Sequence, residues 1–412
     1  MPACRRLSLV LCALALLAAP AAAQDTEPSA TAPADPRAQY PALLQDSFVS
    51  LNVGGIGYNF SSAQLEPGHT ASSVTTPHAA VRAILFGHEF AQHWLAQASY
   101  MRPVQYVTYN GADGFPSGRR VFMHFGTVTL AYRADLTRQW SVYGEGGLAI
   151  VSRHGFLLNN VPVVSDDHFS SVLVGGGIDY RVNNWWDLVG GISEIPGRAD
   201  RADPRTLYTS AGFRYTMRAL PPERVAANES GGAIFPINLV QVEYTTPVGY
   251  GVNTFVSKKV PVFWGGSALV DRGVALHFDR NVFHARRLFS LDLGTSVGAW
   301  RSRNLGDRFY TLSIYPLFRF TFLRTRLADV HAFYSLAGPS YISTIVIDGL
   351  DTGRHFTFQD FMGLGVFVGR ERRVNLGVKI NHYSNGNIFT ENAGVKIPIT
   401  LTLGYTFGSV GR

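Results

Sequence analysis

The chain has little cysteine and no long apolar segment beyond its first two dozen residues. Both cysteines, Cys4 and Cys12, fall within the N-terminal stretch MPACRRLSLVLCALALLAAPAAAQ. A chain that loses this stretch has no thiol, which excludes a disulfide framework, a cysteine nucleophile and a cysteine-ligated zinc site. After it, no apolar run reaches the roughly 18 residues of a membrane-spanning helix, so a helical membrane protein is excluded as well.

The N-terminal stretch has the features of a cleaved secretory signal. Two arginines precede a short apolar run, and small residues precede Gln24. We predict a signal peptide over residues 1–23. Residues 24–45 are rich in Ala, Pro and Thr without any period, and we expect a flexible lead there.

Glycine, aromatic residues and short alternating segments are abundant. The chain has 42 glycines and 12% aromatic residues, a pattern typical of an exported all-β protein. Loss of Arg5 and Arg6 with the signal leaves 34 of the 36 basic residues against 29 acidic ones. This mild excess does not indicate a nucleic-acid partner.

The alternating segments form two sets. Eight candidate strands lie within 46–217, and eight more lie within 237–412. Between them, residues 218–236 carry Pro, Gly and Glu without alternation and read as a linker. This predicts two tandem eight-stranded antiparallel transmembrane β-barrels, with one sixteen-stranded barrel as the alternative.

Alternation also predicts which face meets lipid. In RLFSLDLGTSVGAW, residues 287–300, bulky apolar side chains share one face, and small or polar ones share the other. The polar set fits a narrow lumen in the bacterial outer membrane, with short turns in the periplasm and long loops outside. Pro316 falls mid-strand and should sit at a bulge. Aromatics at strand ends predict interfacial girdles, namely Trp264, Trp300, Tyr405 and Phe407.

His382 and Ser384 break the apolar face of one strand. In RVNLGVKINHYS they continue the lipid-facing parity of Val378 and Ile380. Same-face neighbours lie roughly 7 Å apart, close enough for an imidazole to reach a hydroxyl, which is the minimum arrangement for ester hydrolysis. An interfacial polar pair without chemistry is the alternative.

HYSN at 382–385, NAGV at 392–395 and the final ITLTLGYTF resemble the lipid A 3-O-deacylase family of eight-stranded outer-membrane barrels. The resemblance implies that Ser384 is the nucleophile and His382 its base, with Asn385 helping to hold the oxyanion. It implies an esterase that removes an acyl chain from lipid A of lipopolysaccharide and uses no cofactor.

The third catalytic member departs from the family pattern. The family places a glutamate just after the glycine that opens the last strand, whereas here Gly394 is followed by Val395 and Lys396. Parity predicts that Lys396 points inward. We predict that Glu391 orients His382 in place of the family's glutamate, with Asn392 as the alternative. If neither residue does so, the barrel is an inactive structural or adhesive one.

Three other signals complete the interpretation. HYSNG also resembles the calcium-dependent outer-membrane phospholipases A, whose twelve strands the second set cannot hold. GHEFAQH, residues 87–93, spaces its histidines five apart and predicts no metal site. Basic residues of the long loops are predicted to bind lipopolysaccharide phosphates: Lys258, Lys259, Arg301 and Arg303.

Overall fold

The computed structural model describes residues 35–229, 232–259 and 265–408. The predicted signal peptide, the first part of the lead, Trp264 and the side chains of Lys258 and Lys259 lie outside this description. Strands dominate what is described, as expected. Neither of the two described α-helices is long and apolar enough to cross a membrane.

Eight strands of the N-terminal half close into an antiparallel barrel in the order β1-β3-β4-β6-β7-β10-β11-β12, and β12 returns to β1. The strands of this half are β1 Ser47–Tyr58, β2 Ser73–Thr75, β3 Ala79–Ala91, β4 Trp94–Pro103, β5 Val107–Asn110, β6 Arg119–Asp135, β7 Trp140–His154, β8 Phe156–Leu158, β9 Val161–Val164, β10 Asp167–Arg181, β11 Trp186–Ile195 and β12 Thr206–Thr216. The four short strands belong to the long connections.

A second antiparallel barrel closes in the order β13-β14-β15-β16-β17-β20-β21-β22. Its half contains helix α1 Pro222–Glu229, β13 Asn238–Thr245, helix α2 Tyr250–Lys259, β14 Ala268–Ala285, β15 Phe289–Ser302, β16 Arg308–Arg324, β17 Ala328–Ile342, β18 Val346–Ile347, β19 Leu350–Asp351, β20 Phe356–Val368, β21 Val374–Ser384 and β22 Val395–Phe407. The chain therefore forms two barrels, and the sixteen-stranded alternative is wrong.

Charged side chains fill the lumen of the second barrel in compensating groups. Glu243 is fully buried and contacts the amine of Lys379 at 2.7 Å and Nε2 of His277 at 2.5 Å. Arg319 bridges Asp279 at 2.8 Å and Asp292 at 2.6 Å. The predicted polar lumen is confirmed, since each of these charges has an opposite partner inside.

The outward faces are apolar, as lipid requires. Tyr405 and Phe407 are exposed there, which agrees with their predicted girdle positions. The predicted girdle position of Trp300 is wrong. Only 3% of this side chain is exposed, and its indole Nε1 donates to Thr311 inside the barrel. Its even parity in the strand, the same as that of Asp292, already placed it on the lumen side.

The mid-strand proline lies at an irregularity, as predicted. The pairing of β16 with β17 shifts by one residue between Ser313 and Phe318, while Pro316 keeps its place opposite Leu293 of β15. The missing N–H of Pro316 therefore falls where the ladder with β17 is already interrupted.

Residues 35–45 are not a flexible lead, because they form two short 3-10 helices with fixed partners. Arg37 donates to the side chain of Asn281 and to the carbonyl of Phe235 in the second half. Tyr40 meets the hydroxyl of Tyr215 in the first barrel at 2.5 Å. The predicted linker also contains helix α1. Together these segments tie the two barrels at their short-turn ends.

The lumen charges generate a stability prediction. Arg319→Ala leaves Asp279 and Asp292 buried without their counter-charge, and breaking such a buried group costs about 3–5 kcal/mol. We expect a much lower urea midpoint for unfolding in lipid vesicles. Arg308→Ala, at an exposed rim position, should change it by less than about 0.5 kcal/mol. Equal midpoints for the two variants would contradict this account.

Candidate active site

His382 and Ser384 lie on the outward face of β21, close to its long-loop end. The residues between and before them point inward: the amide of Asn381 donates to Glu243 in the lumen, and Tyr383 contacts Thr311 there. His382 and Ser384 therefore share the opposite face, as their parity predicted. His382 is only 1% exposed, whereas Ser384 is half-buried.

Helix α2, which lies in the long connection between β13 and β14, covers this part of the barrel wall. Its Asn253 side chain donates to the carbonyl of Ile397 at 2.7 Å and to that of Asn381 at 3.4 Å. Beyond the helix, the carbonyl of Gly265 accepts from Nε2 of His382 at 2.8 Å. The histidine is thus shielded from lipid by protein, which corrects the expectation of a side chain open to the bilayer.

Asp360 of β20 is an acidic partner of His382. The two residues are directly opposite in the ladder between β20 and β21, and a carboxylate oxygen of Asp360 lies 3.7 Å from Nδ1 of His382. Asp360 is 2% exposed and also lies on the outward face, between Phe358 and Met362. A carboxylate buried on a lipid-facing wall would be costly without such partners.

A bulge in β17 fixes the orientation of this carboxylate. The pairing of β17 with β20 shifts between Ser335 and Gly338, and Ala337 within the shift adopts a positive φ of 51°. Its freed N–H donates to Asp360 at 2.6 Å. Bulges of this kind redirect backbone groups at functional sites. Asp360 is therefore held from one side by backbone while it faces the imidazole on the other.

The sequence interpretation missed Asp360, although two signals pointed to it. In FTFQDFMGLGV, the aspartate occupies the parity of Phe356, Phe358 and Leu364, so an acid interrupts an otherwise apolar face. The two strands joined by the short turn at 369–373 pair residues that are equally far from the centre of the turn. Asp360 and His382 are equally far from it, so they lie opposite each other.

Lys396 points to the outward side, contrary to the parity prediction. It pairs with His382 in the ladder, and its amine donates to Thr254 of helix α2 at 3.2 Å. The reason is one extra residue in β22 between Ile397 and Thr400, which reverses the alternation. The carbonyl of Ile397 beside this bulge is the one that Asn253 satisfies.

The β21–β22 connection, residues 385–394, contains the other predicted members. The backbone N–H of Asn385 donates to Asn392, and its side-chain amide donates to the carbonyls of Thr352 and Glu391. These donors already hold the loop together, so an oxyanion role for Asn385 would require them to be released. Glu391 is exposed, and its carbonyl accepts from the side-chain amide of Asn385.

The basic residues predicted to bind phosphate lie at the same end of the barrel. Arg301 and Arg303 are exposed where β15 passes into its loop, and the guanidinium of Arg303 stacks over the ring of Tyr250 at 4.9 Å. Helix α2 carries Lys258 and Lys259 in its last turn.

Phenylalanines border the half-buried serine. Ser384 is opposite Phe358 in the ladder, and Phe358 packs edge-on against Phe356 at 5.1 Å between ring centroids. Phe356 also meets Phe389 of the following loop at 6.4 Å. These rings form an apolar surface beside the hydroxyl on the outside of the barrel wall.

Closed rings of eight strands with charged lumens and apolar outer faces define a pair of outer-membrane β-barrels, the second with a Ser, His and Asp group on its outer wall. Residues 273–406, most of the second barrel, match the family model of lipid A 3-O-deacylase (PagL). The fold and the family match both indicate that the protein lies in the bacterial outer membrane. No curated protein sequence matches the chain at a significant level.

Several solved structures resemble the fold of one barrel. The outer membrane enzyme PagL is 14% identical and covers 41% of this chain and 99% of its own, with a TM-score of 0.30. Neisserial surface protein A is 16% identical, with coverages of 42% and 97% and a TM-score of 0.29. Ail of Yersinia pestis is 14% identical, with coverages of 41% and 97% and a TM-score of 0.27.

The packing around His382 generates a prediction at Gly394. This residue has a positive φ of 62°, and a Cβ there would approach Gly265 O at 3.2 Å and His382 Nε2 at 3.3 Å. Gly349 has a similar φ of 75° but no neighbour within 4 Å of such a Cβ. Both alanine variants carry the strain of a side chain in the left-handed backbone conformation, roughly 1–2 kcal/mol. We expect Gly394→Ala to lower the melting temperature in detergent further than Gly349→Ala, and the reverse order would contradict this packing.

Proposed function

We propose that the second barrel is an esterase that removes an ester-linked acyl chain from lipid A. The observation that carries the proposal is the row formed by Asp360, His382 and Ser384 on the outward wall, at the end of the barrel that bears the long loops. Lipid A resides in the outer leaflet, so its acyl esters come to this depth. The family match over 273–406 supports the same substrate class.

The chemistry follows from the order of the three side chains. Ser384 Oγ attacks the ester carbonyl while His382 takes its proton; the sugar oxygen then leaves and receives that proton. Water next attacks the acyl-serine with His382 again as base, which releases the fatty acid and restores the hydroxyl. The phenylalanines beside Ser384 offer a surface for the acyl chain.

Asp360 is the residue we assign to orient His382, in place of the predicted Glu391. A carboxylate next to one imidazole nitrogen selects the tautomer and stabilises the imidazolium. Asp360 is buried and 3.7 Å from Nδ1, whereas Glu391 is exposed in the loop. The acid of the family's last strand would thus have been replaced by one on the strand at the other side of the histidine.

Substitutions in this row make the proposal testable. Ser384→Ala and His382→Ala should each remove nearly all release of fatty acid from lipid A, and the double variant should lose little more, because base and nucleophile act as a unit. Asp360→Asn should lower kcat by about 10²- to 10⁴-fold. Glu391→Gln should stay within about threefold of the parent enzyme, and Asn392→Ala should lose no more than about tenfold, well below the effect of Asp360→Asn.

These rates would be measured by mass spectrometry of lipid A incubated with purified protein in detergent. Thermal unfolding of each variant checks that the barrel is intact. A large loss in Glu391→Gln together with full activity in Asp360→Asn would reject Asp360 in favour of the loop residue.

The exposed arginines supply a prediction on substrate binding. Arg301→Glu combined with Arg303→Glu should weaken binding of lipopolysaccharide at least about tenfold, because each guanidinium can donate to a phosphate. Arg287→Glu, exposed in a short turn at the other end of the barrel, is the matched control. Binding to lipopolysaccharide micelles measured at fixed ionic strength checks both; an equal loss in the control would mean that net charge alone is responsible.

A barrel without activity is the second candidate, and one contact favours it. Nε2 of His382 donates to the carbonyl of Gly265, so this nitrogen cannot accept the serine proton until Gly265 moves. If purified protein cleaves neither lipid A nor phospholipid, this reading holds. Calcium-dependent cleavage of phospholipid instead of lipid A would assign the phospholipase activity.

A further inference from the structure

The loop that follows Ser384 leaves the second barrel and contacts the outer wall of the first. In this loop, the side-chain amide of Asn387 donates to Nδ1 of His124 at 2.9 Å, and the carbonyl of Asn387 accepts a hydrogen bond from the hydroxyl of Ser152. His124 lies on β6 and Ser152 on β7. The connection next to the proposed nucleophile is thus bound by the other half of the chain.

The receiving surface is a row of polar side chains across four strands of the first barrel. His124 is opposite Ser152, Ser152 is opposite His168, and the hydroxyl of Ser152 is 2.8 Å from Nδ1 of His168. Tyr100 of β4 packs against His124, with ring centroids 5.9 Å apart, and also interacts with Asn387. We call these four residues, Tyr100, His124, Ser152 and His168, the docking row.

The docking row lies on the outward face, where neighbouring positions such as Val128 and Leu130 are exposed and apolar. On a barrel standing alone, these polar groups would face lipid near the headgroups and gain nothing from it. Ser152 is instead 2% exposed. The polarity of the row is therefore explained by the loop that covers it.

Asparagine side chains extend this contact to the proposed active site. Asn392 donates to the side-chain oxygen of Asn387 at 2.8 Å and accepts from the backbone N–H of Asn385 at 3.0 Å. Asn385 directly follows Ser384. Three hydrogen-bonding residues therefore connect His124 of the first barrel with the backbone beside the serine.

We infer that the first barrel is a positioning partner for the second: its docking row binds the 385–394 loop and thereby fixes Ser384 relative to His382. This gives a role to the first barrel, which lies outside the family match over residues 273–406. The structural part stands on the contacts alone, and its catalytic consequence rests on the proposed esterase function.

Cross-linking tests the docking itself. The predicted mature chain has no cysteine, so Ser152→Cys combined with Asn387→Cys creates one thiol pair. A short bifunctional thiol reagent should join the halves, which then stay together on a denaturing gel after cleavage at a protease site inserted in the 218–236 linker. Leu130→Cys with Asn387→Cys, on the same wall of β6 but further from the loop, should not be joined.

A second readout follows the loop without any need for activity. Exposed Glu391 is a cleavage site for a glutamate-specific protease, and binding to the docking row should protect it. His124→Ala should accelerate cleavage about three- to tenfold, the effect of one lost hydrogen bond. His93→Ala, which removes a bonded histidine at the opposite end of the first barrel, is the control and should leave the rate unchanged.

Kinetics then test the catalytic consequence. His124→Ala and Asn387→Ala should each lower kcat about three- to tenfold with little change in KM, and the double variant should lose no more than either single one. Unchanged kcat in both single variants of an active enzyme would overturn the coupling.

The outcomes separate this inference from the proposed function. Absence of the cross-link, or equal cleavage of the His124→Ala and parent loops, would overturn docking whatever the enzyme does. Cross-linking and protection in a protein that leaves lipid A intact would support docking while the esterase proposal fails.

Discussion

Lipid offers no hydrogen-bond partners, and this constraint governs the whole molecule. Backbone groups of a strand in such a medium must bond to neighbouring strands, which only a closed ring achieves for every strand. Eight strands make a ring too narrow for an open channel, so side chains fill it. Charges inside must then neutralise one another, as Glu243 does with Lys379 and Arg319 does with two aspartates.

The same constraint makes the polar exceptions on the outer walls informative. Two such places are the wall around His382 and the docking row, and protein covers both. His382 lies beneath Gly265, Asp360 accepts from the backbone N–H of Ala337, and the docking row lies beneath the 385–394 loop. Polar groups are tolerated on a lipid-facing wall where other parts of the chain form hydrogen bonds with them. The segments that cover these polar groups therefore lie at the positions proposed to be functional.

Period-two alternation was enough to predict the two sets of strands and most of their faces from sequence. It could not predict features that depend on one-residue irregularities or on contacts between distant segments. The extra residue in β22 reversed the orientation of Lys396, and the bulge at Ala337 placed a backbone donor beside Asp360. Residues 35–45 looked unstructured because their partners, such as Asn281 and Tyr215, lie far away in sequence.

The residues of the proposed site lie on different strands, which explains why the family pattern could not locate the acid that faces His382. In an antiparallel barrel, His382 has a neighbour on each side: Lys396 on β22 and Asp360 on β20. Both neighbours share its face, so a carboxylate on either strand can approach the imidazole. A search restricted to the sequence after Gly394 examines only one side. Strand pairing supplies the other, and with it an acid that lies before the histidine in the chain.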